Sequence, residues 1–151
     1  VTTTDQLSGL DLLRALAGTE QRTGIWTLLG LHDPHIDRGH VSFAITTRPD
    51  FANPLGALHG GICATLLDSV MGCAVHTTLP PGTGYSTLEL KVNYIRTVPT
   101  DGTRLIGTGH VIHAGRTTAT AEGRVTDDQD RLVAHATTTC LIHHPQPGTR
   151  A

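Results

Sequence analysis

LHGGICATLLDSVMGCAVHTTL, residues 58–79, is the one long apolar stretch of the chain, and Pro80-Pro81-Gly82 closes it. Its apolar residues, Ile62, Ala64, Leu66, Leu67, Val70, Met71, Ala74 and Val75, fall on most sides of a helix. A helix that is apolar nearly all round is buried rather than laid on a surface. Other parts of the chain must therefore wrap it. Downstream, residues 85–98, 103–113, 116–126 and 132–143 read as four strands, separated by Pro99-Thr100-Asp101-Gly102, Ala114-Gly115 and Asp127-Asp128-Gln129-Asp130. Connections this short predict sequential antiparallel neighbours. In the first of these strands Leu88, Leu90, Val92 and Tyr94 alternate with Thr87, Glu89, Lys91 and Asn93. The even positions, Ser86 included, are expected to face the helix, and Thr87 to point away.

Upstream, residues 40–47 set Val41, Phe43 and Ile45 against Ser42, Ala44 and Thr46, the alternation of a strand. Residues 50–56 read as loop, and residues 24–31 fit either a short helix or a strand. Leu7, Leu10, Leu13 and Ala17 predict a short amphipathic helix over residues 5–17, ending near Gly18. One strand, a central helix and four further antiparallel strands predict an α+β fold, a sheet curled around a helix.

A chain of 151 residues is one domain's worth and can bury a real core. The longest apolar run is interrupted by Asp68 and Gly72, so no membrane-spanning segment is expected. Residues 1–9 lack both a basic and an apolar stretch, which predicts no signal peptide and a cytoplasmic location. A net charge of −2, with Lys91 as the sole lysine, argues against nucleic acid as partner. Cys63, Cys73 and Cys140 form no C-x-x-C pair, which argues against disulfides and a thiolate zinc site.

Chemistry concentrates in Asn53-Pro-Leu-Gly-Ala-Leu-His59-Gly60-Gly61, followed by Asp68. His59-Gly60-Gly61 lies where the long helix begins, and a helix N-terminus offers free N–H groups and partial positive charge to a carbonyl oxygen becoming an oxyanion. Glycine there admits a ligand close to the backbone. Asp68 is a carboxylate in an apolar helix, where it is costly unless used or paired. Eight residues separate Gly60 from Asp68, which is about 80° around a helix axis and ~12 Å along it. A reacting carbonyl must lie about 3 Å from both groups. If both serve one reaction, they come from two chains, and the protein is a dimer.

The Asn–His-Gly-Gly–Asp arrangement, with the buried helix and the strands after it, resembles the hotdog-fold acyl-CoA thioesterases, in particular the phenylacetate-pathway, PaaI-like group. The likeness covers residues 36–143, leaving residues 1–35 as an N-terminal helical extension and 144–151 as a disordered tail. It implies a homodimer with shared active sites, commonly paired into a homotetramer. It also implies hydrolysis of an acyl- or aryl-CoA thioester, with coenzyme A entering as part of the substrate and no cofactor. By position, Asp68 would be nucleophile or general base from one subunit. The Gly60 amide of the other would polarise the carbonyl, helped by Asn53 and His59. The hydroxyl this family carries at the start of the strand after the helix corresponds to Ser86. Arg96 and Arg116 are the positions chosen for the CoA phosphates.

Plainer readings stand beside these. His59-Gly60-Gly61 alone suits any helix start, Asp68 alone a buried carboxylate paired with an amide, and Arg96 and Arg116 solvated charges. Cys63 lies four residues after His59 on the same helix face, but it reads as a small buried hydrophobe rather than a nucleophile. His110 and His113 are expected on opposite faces of a strand, and no H-E-x-x-H or H-x-H occurs, so no metal is expected. A hotdog hydratase or dehydratase, and a non-catalytic acyl-CoA-binding protein, are the competing functions. The Gly-Gly helix start favours hydrolysis.

Overall fold

The computed structural model describes residues 6–19 and 23–145. In chain order the elements are helix α1 (Gly9–Ala17), helix α2 (Ile25–Leu29), strands β1 (His32–Asp37) and β2 (His40–Thr46), helix α3 (Gly60–His76), and strands β3 (Gly84–Tyr94), β4 (Arg104–Ala114), β5 (Thr118–Asp127) and β6 (Leu132–His143). Ser8 caps α1, its Oγ accepting the Asp11 N–H at 3.2 Å. Asp5, where that helix was expected to start, lies outside the described residues. The ambiguous segment is helical: α2 ends on Gly30, which takes the left-handed conformation (φ 66°, ψ 46°) that an L side chain resists.

Strand β1 is not announced by any apolar alternation. Its sequence, HDPHID, contains a proline, and the strand has an irregularity between His32 and His35, with Asp33 at φ 49°. Proline is tolerated there because an edge strand pairs on one side only, and a bulge absorbs the missing N–H. The sheet thus takes in residues 32–35, which the sequence assigns to the N-terminal extension.

The antiparallel sheet has six strands in the order β1-β2-β4-β5-β6-β3. β4, β5 and β6 are sequential neighbours as expected. β3 is not the neighbour of β4; it pairs with β6. Residues 95–103 are too long for a tight hairpin and do not fold back. They pass over the start of α3, where the Leu58 N–H donates to the Val98 carbonyl at 2.9 Å, and deliver β4 to a place beside β2. β3 is left as the second edge of the sheet.

Helix α3 packs across β2, β3, β4, β5 and β6. Cys63, Leu66, Leu67, Val70, Met71, Ala74 and Val75 are buried in that contact. The wrap is one-sided, however. Gly61, Ala64, Thr65 and Asp68 form a strip that this chain leaves half covered.

Strand parity also departs from simple alternation where the ladders slip. The β4–β5 register slips between Val111 and His113, so His110 (opposite Glu122) and His113 (opposite Thr120) share a face rather than opposing each other. On that outer face the His40 and His110 rings stack at 4.2 Å, with His35 edge-on to His40 at 5.8 Å. Desolvation, then the His110 and His35 charges, hold the His40 pKa below its ordinary 6.5, while Asp37 pulls the other way. Burial lowers that of His76 too. Below pH 6.5 the unfolded chain therefore binds more protons at these positions than the folded one. Stability held above that pH is lost as the pH falls through the folded-state values. Thermal midpoints are expected to drop as the pH falls from about 7.5 through the ordinary histidine range, and the His40→Gln/His76→Gln variant to flatten the drop. An equal slope in the variant would show that other groups cause it.

Candidate active site

His59 is the N-cap of α3, its Nδ1 accepting the Gly61 N–H at 2.9 Å, and its own N–H donates to the Phe51 carbonyl at 2.8 Å. The Gly60 N–H, at the first helical position, has no acceptor within its own helix. Ahead of it, residues 53–57 fold on Asn53. Its Oδ1 accepts the Leu55 N–H at 2.9 Å and the Ala57 N–H at 3.2 Å, and its N–H donates to the Ala57 carbonyl at 2.7 Å. With Oδ1 engaged twice, the side-chain amide hydrogens of Asn53 are the group left for a ligand oxygen. Asn53, Leu58, Gly60, Cys63, Tyr94, Arg96, Val98 and Val133 are among the residues lining a hollow of about 340 Å³.

Asp68 lies two turns further along α3, in a separate shallow depression of about 280 Å³ formed with Ala64, Thr65, Thr87 and Leu90. The Thr87 hydroxyl donates to Asp68 Oδ1 at 2.9 Å. One chain therefore carries Asn53 and Gly60 in a hollow at the helix start and the Asp68 carboxylate on the open strip, and does not bring them together.

The family model for the thioesterase superfamily matches residues 55–134 of this chain, a stretch that includes His59, Gly60, Asp68 and Thr87. The chain belongs to the thioesterase superfamily. A Halobacterium salinarum protein named as an esterase is 37% identical over 119 residues, covering 76% of this chain and 77% of that one. A solved Ralstonia eutropha JMP134 protein, named as a thioesterase and as phenylacetic acid degradation-related, superposes with a TM-score of 0.76 at 30% identity, over 85% of this chain and 97% of its own. The Escherichia coli PaaI protein shares the fold, with a TM-score of 0.73 at 22% identity over 85% of this chain and 88% of its own. The architecture is the hotdog fold, and the protein is a thioester hydrolase.

In this thioesterase the hydroxyl beside Asp68 belongs to Thr87, not Ser86. The β3–β6 register shifts between Thr87 and Glu89, with Thr87 opposite buried Cys140 and Leu90 opposite buried Thr138. Leu88 is the extra residue and stands 57% exposed. A bulge reverses the parity of everything before it. Tyr85 and Thr87 therefore face the helix, while Ser86 points outward and bonds His143 Nε2 at 2.7 Å. Because apolar residues continue at 88, 90 and 92, nothing in the alternation betrays the bulge. Thr87→Val is expected to lower kcat about ten-fold by removing a hydrogen bond to a charged group, and Ser86→Ala to stay within about two-fold. The reverse ranking would restore Ser86 as the site hydroxyl.

Arg96 is exposed on the lining of the Asn53–Gly60 hollow. Arg116 is elsewhere, in the β4–β5 turn, its carbonyl accepting from His144 Nε2 at 2.6 Å. Burial pushes the Cys63 thiol up to about 11, which leaves little thiolate at neutral pH. Among the described residues no group of three or more His, Cys, Asp or Glu is placed to hold a metal ion. Nor is any helix among them long and apolar enough to cross a membrane. Tyr94, which the sequence reading treated only as one of the inward apolar positions, donates its hydroxyl to the Gly60 carbonyl at 3.0 Å.

Proposed function

We propose that the protein hydrolyses an acyl- or aryl-CoA thioester to the free acid and CoA at a site shared between two subunits. Asp68 of one subunit acts as nucleophile or general base. The Gly60 N–H of the other, with the Asn53 amide and His59 beside it, receives the carbonyl oxygen as it becomes an oxyanion. In the general-base route Asp68 takes a proton from water, the hydroxide adds to the carbonyl carbon, and collapse expels CoA thiolate, which is then protonated. In the nucleophilic route the Asp68 carboxylate displaces the thiolate to give a mixed anhydride, which water opens. Both need only the carboxylate and water, so no cofactor enters. Arg96, exposed on the lining of the hollow, meets a CoA phosphate in this reading.

The observation that carries this reading is the separation of the half-sites. Asn53 and Gly60 line one hollow, Asp68 and Thr87 another, and the strip bearing Asp68 is half covered by its own chain. A second copy over that strip would set its Gly60 opposite Asp68, and a two-fold axis would make two such sites. Two dimers joining into a tetramer extend the same reading.

The test is complementation. Asp68→Asn and Gly60→Pro chains are each expected to be inactive alone. Mixed by refolding, random pairing puts one intact site in each heterodimer and returns about a quarter of wild-type activity. No recovery, with heterodimers verified by mass, would rule out the shared site.

A further inference from the structure

The peptide unit joining Gly60 to Gly61 is held at both ends by side chains. Its carbonyl oxygen accepts the Tyr94 hydroxyl at 3.0 Å, and its N–H donates to His59 Nδ1 at 2.9 Å. Two glycines in succession at a helix start give this unit more torsional freedom than any other pair would. The clamp removes that freedom, and it exists only because both residues lack a Cβ. A Cβ on Gly60 would lie 3.0 Å from Tyr94 Cζ, and one on Gly61 2.9 Å from His59 Nδ1. The two clamping groups occupy the space that side chains would fill.

The clamp also decides the state of His59. Because Nδ1 accepts a hydrogen bond, the proton of the neutral ring must sit on Nε2. His59 is exposed, so its Nε2–H is open to a ligand. From Tyr94 O–H through the Gly60–Gly61 amide to His59, each hydrogen bond polarises the next in the same sense, which strengthens the final donor.

We propose that Tyr94 is a positioning residue. By holding the Gly60 carbonyl it fixes the Gly60–Gly61 peptide, and through it the Nε2–H tautomer of His59 and the aim of the helix-start donors. The proposal rests on the reading of Gly60 and His59 as the polarising half-site. It goes beyond that reading by naming a further residue, one that acts through the peptide it holds.

Tyr94→Phe tests it, since only the hydroxyl is lost and Tyr94 is already 55% exposed, so the core is untouched. The variant is expected to lower kcat about five- to ten-fold with KM within about two-fold, as befits one hydrogen bond acting on orientation. Two readouts are independent of turnover. Imidazole nitrogen shifts of His59 should move from a pure Nε2–H tautomer toward a mixture, and the Gly61 amide should exchange faster with solvent. An unchanged tautomer and exchange rate would overturn the proposal, whatever the kinetics. Altered shifts in a protein that releases no thiol from any CoA thioester would uphold the clamp and sink the hydrolytic reading instead.

Discussion

Asp68→Asn is expected to lower kcat for thioester hydrolysis by about 10³-fold, the range in which a positioned carboxylate acts, while CoA binding stays within about two-fold. Asparagine has nearly the shape of aspartate and can still accept the Thr87 hydroxyl, which now donates to Asp68 Oδ1 at 2.9 Å. It cannot take a proton from water or form an anhydride. The helix should be undisturbed, because Asp68 lies on the half-covered strip rather than among Leu66, Leu67, Val70 and Met71, each 0% exposed. Thiol release from a panel of aryl- and alkyl-CoA thioesters, with CoA binding followed by calorimetry, checks both halves. Turnover surviving in the variant would place the chemistry on another group. CoA binding without turnover in the wild type would favour an acyl-CoA-binding role.

A large loss of stability is expected at Gly109, where β4 packs on α3. A Cβ added to Gly109 in β4 would strike the backbone of α3, meeting the Val70 carbonyl oxygen and approaching the Val70 carbonyl carbon at 2.5 Å and the Met71 nitrogen at 2.7 Å. Gly107 and Gly123 make way in the same manner for Leu66, at 2.6 Å, and Met71, at 2.9 Å. The nearest atoms at those two positions belong to side chains. The contact at Gly109 is with helix backbone, which can yield only by lifting α3 from the sheet. Gly109→Ala is therefore expected to cost about 3 kcal/mol, the upper end for overpacking, and to lower the thermal midpoint by roughly ten degrees. Gly84→Ala, whose Cβ would meet nothing within 4 Å, is the control and should change stability by less than about 0.5 kcal/mol. Equal effects at the two positions would mean that helix and sheet are not in the contact described.

Much of this architecture is legible in one dimension. The helix expected over residues 58–79 is α3, Gly60–His76, and the expected strands appear within a few residues of their ends. Asn53, His59 and Gly60 converge at the helix start because loop and helix are contiguous in sequence. Asp68 is set two turns away by the helical repeat alone. Thr87, Tyr94 and β1 were not legible, for different reasons. β1 has no alternation to read, because as an edge strand with a bulge it satisfies backbone pairing more than it buries side chains. Tyr94 meets Gly60 only because residues 95–103 carry the chain back over the helix start. Thr87 displaces Ser86 only because a bulge at Leu88 reverses the parity of β3.

The sequence by itself determined the elements, the buried helix and the residue types at its start, because apolar periodicity and glycine placement express local geometry. The tertiary structure alone decided which hydroxyl faces Asp68, which strand neighbours β3, and which strip of α3 stays open. Each of those depends on pairing between residues far apart in sequence: Thr87 with Cys140, Tyr94 with Ala134, Gly109 with Gly123. A single inserted residue in a ladder exchanges the two faces of a strand while leaving its composition unchanged.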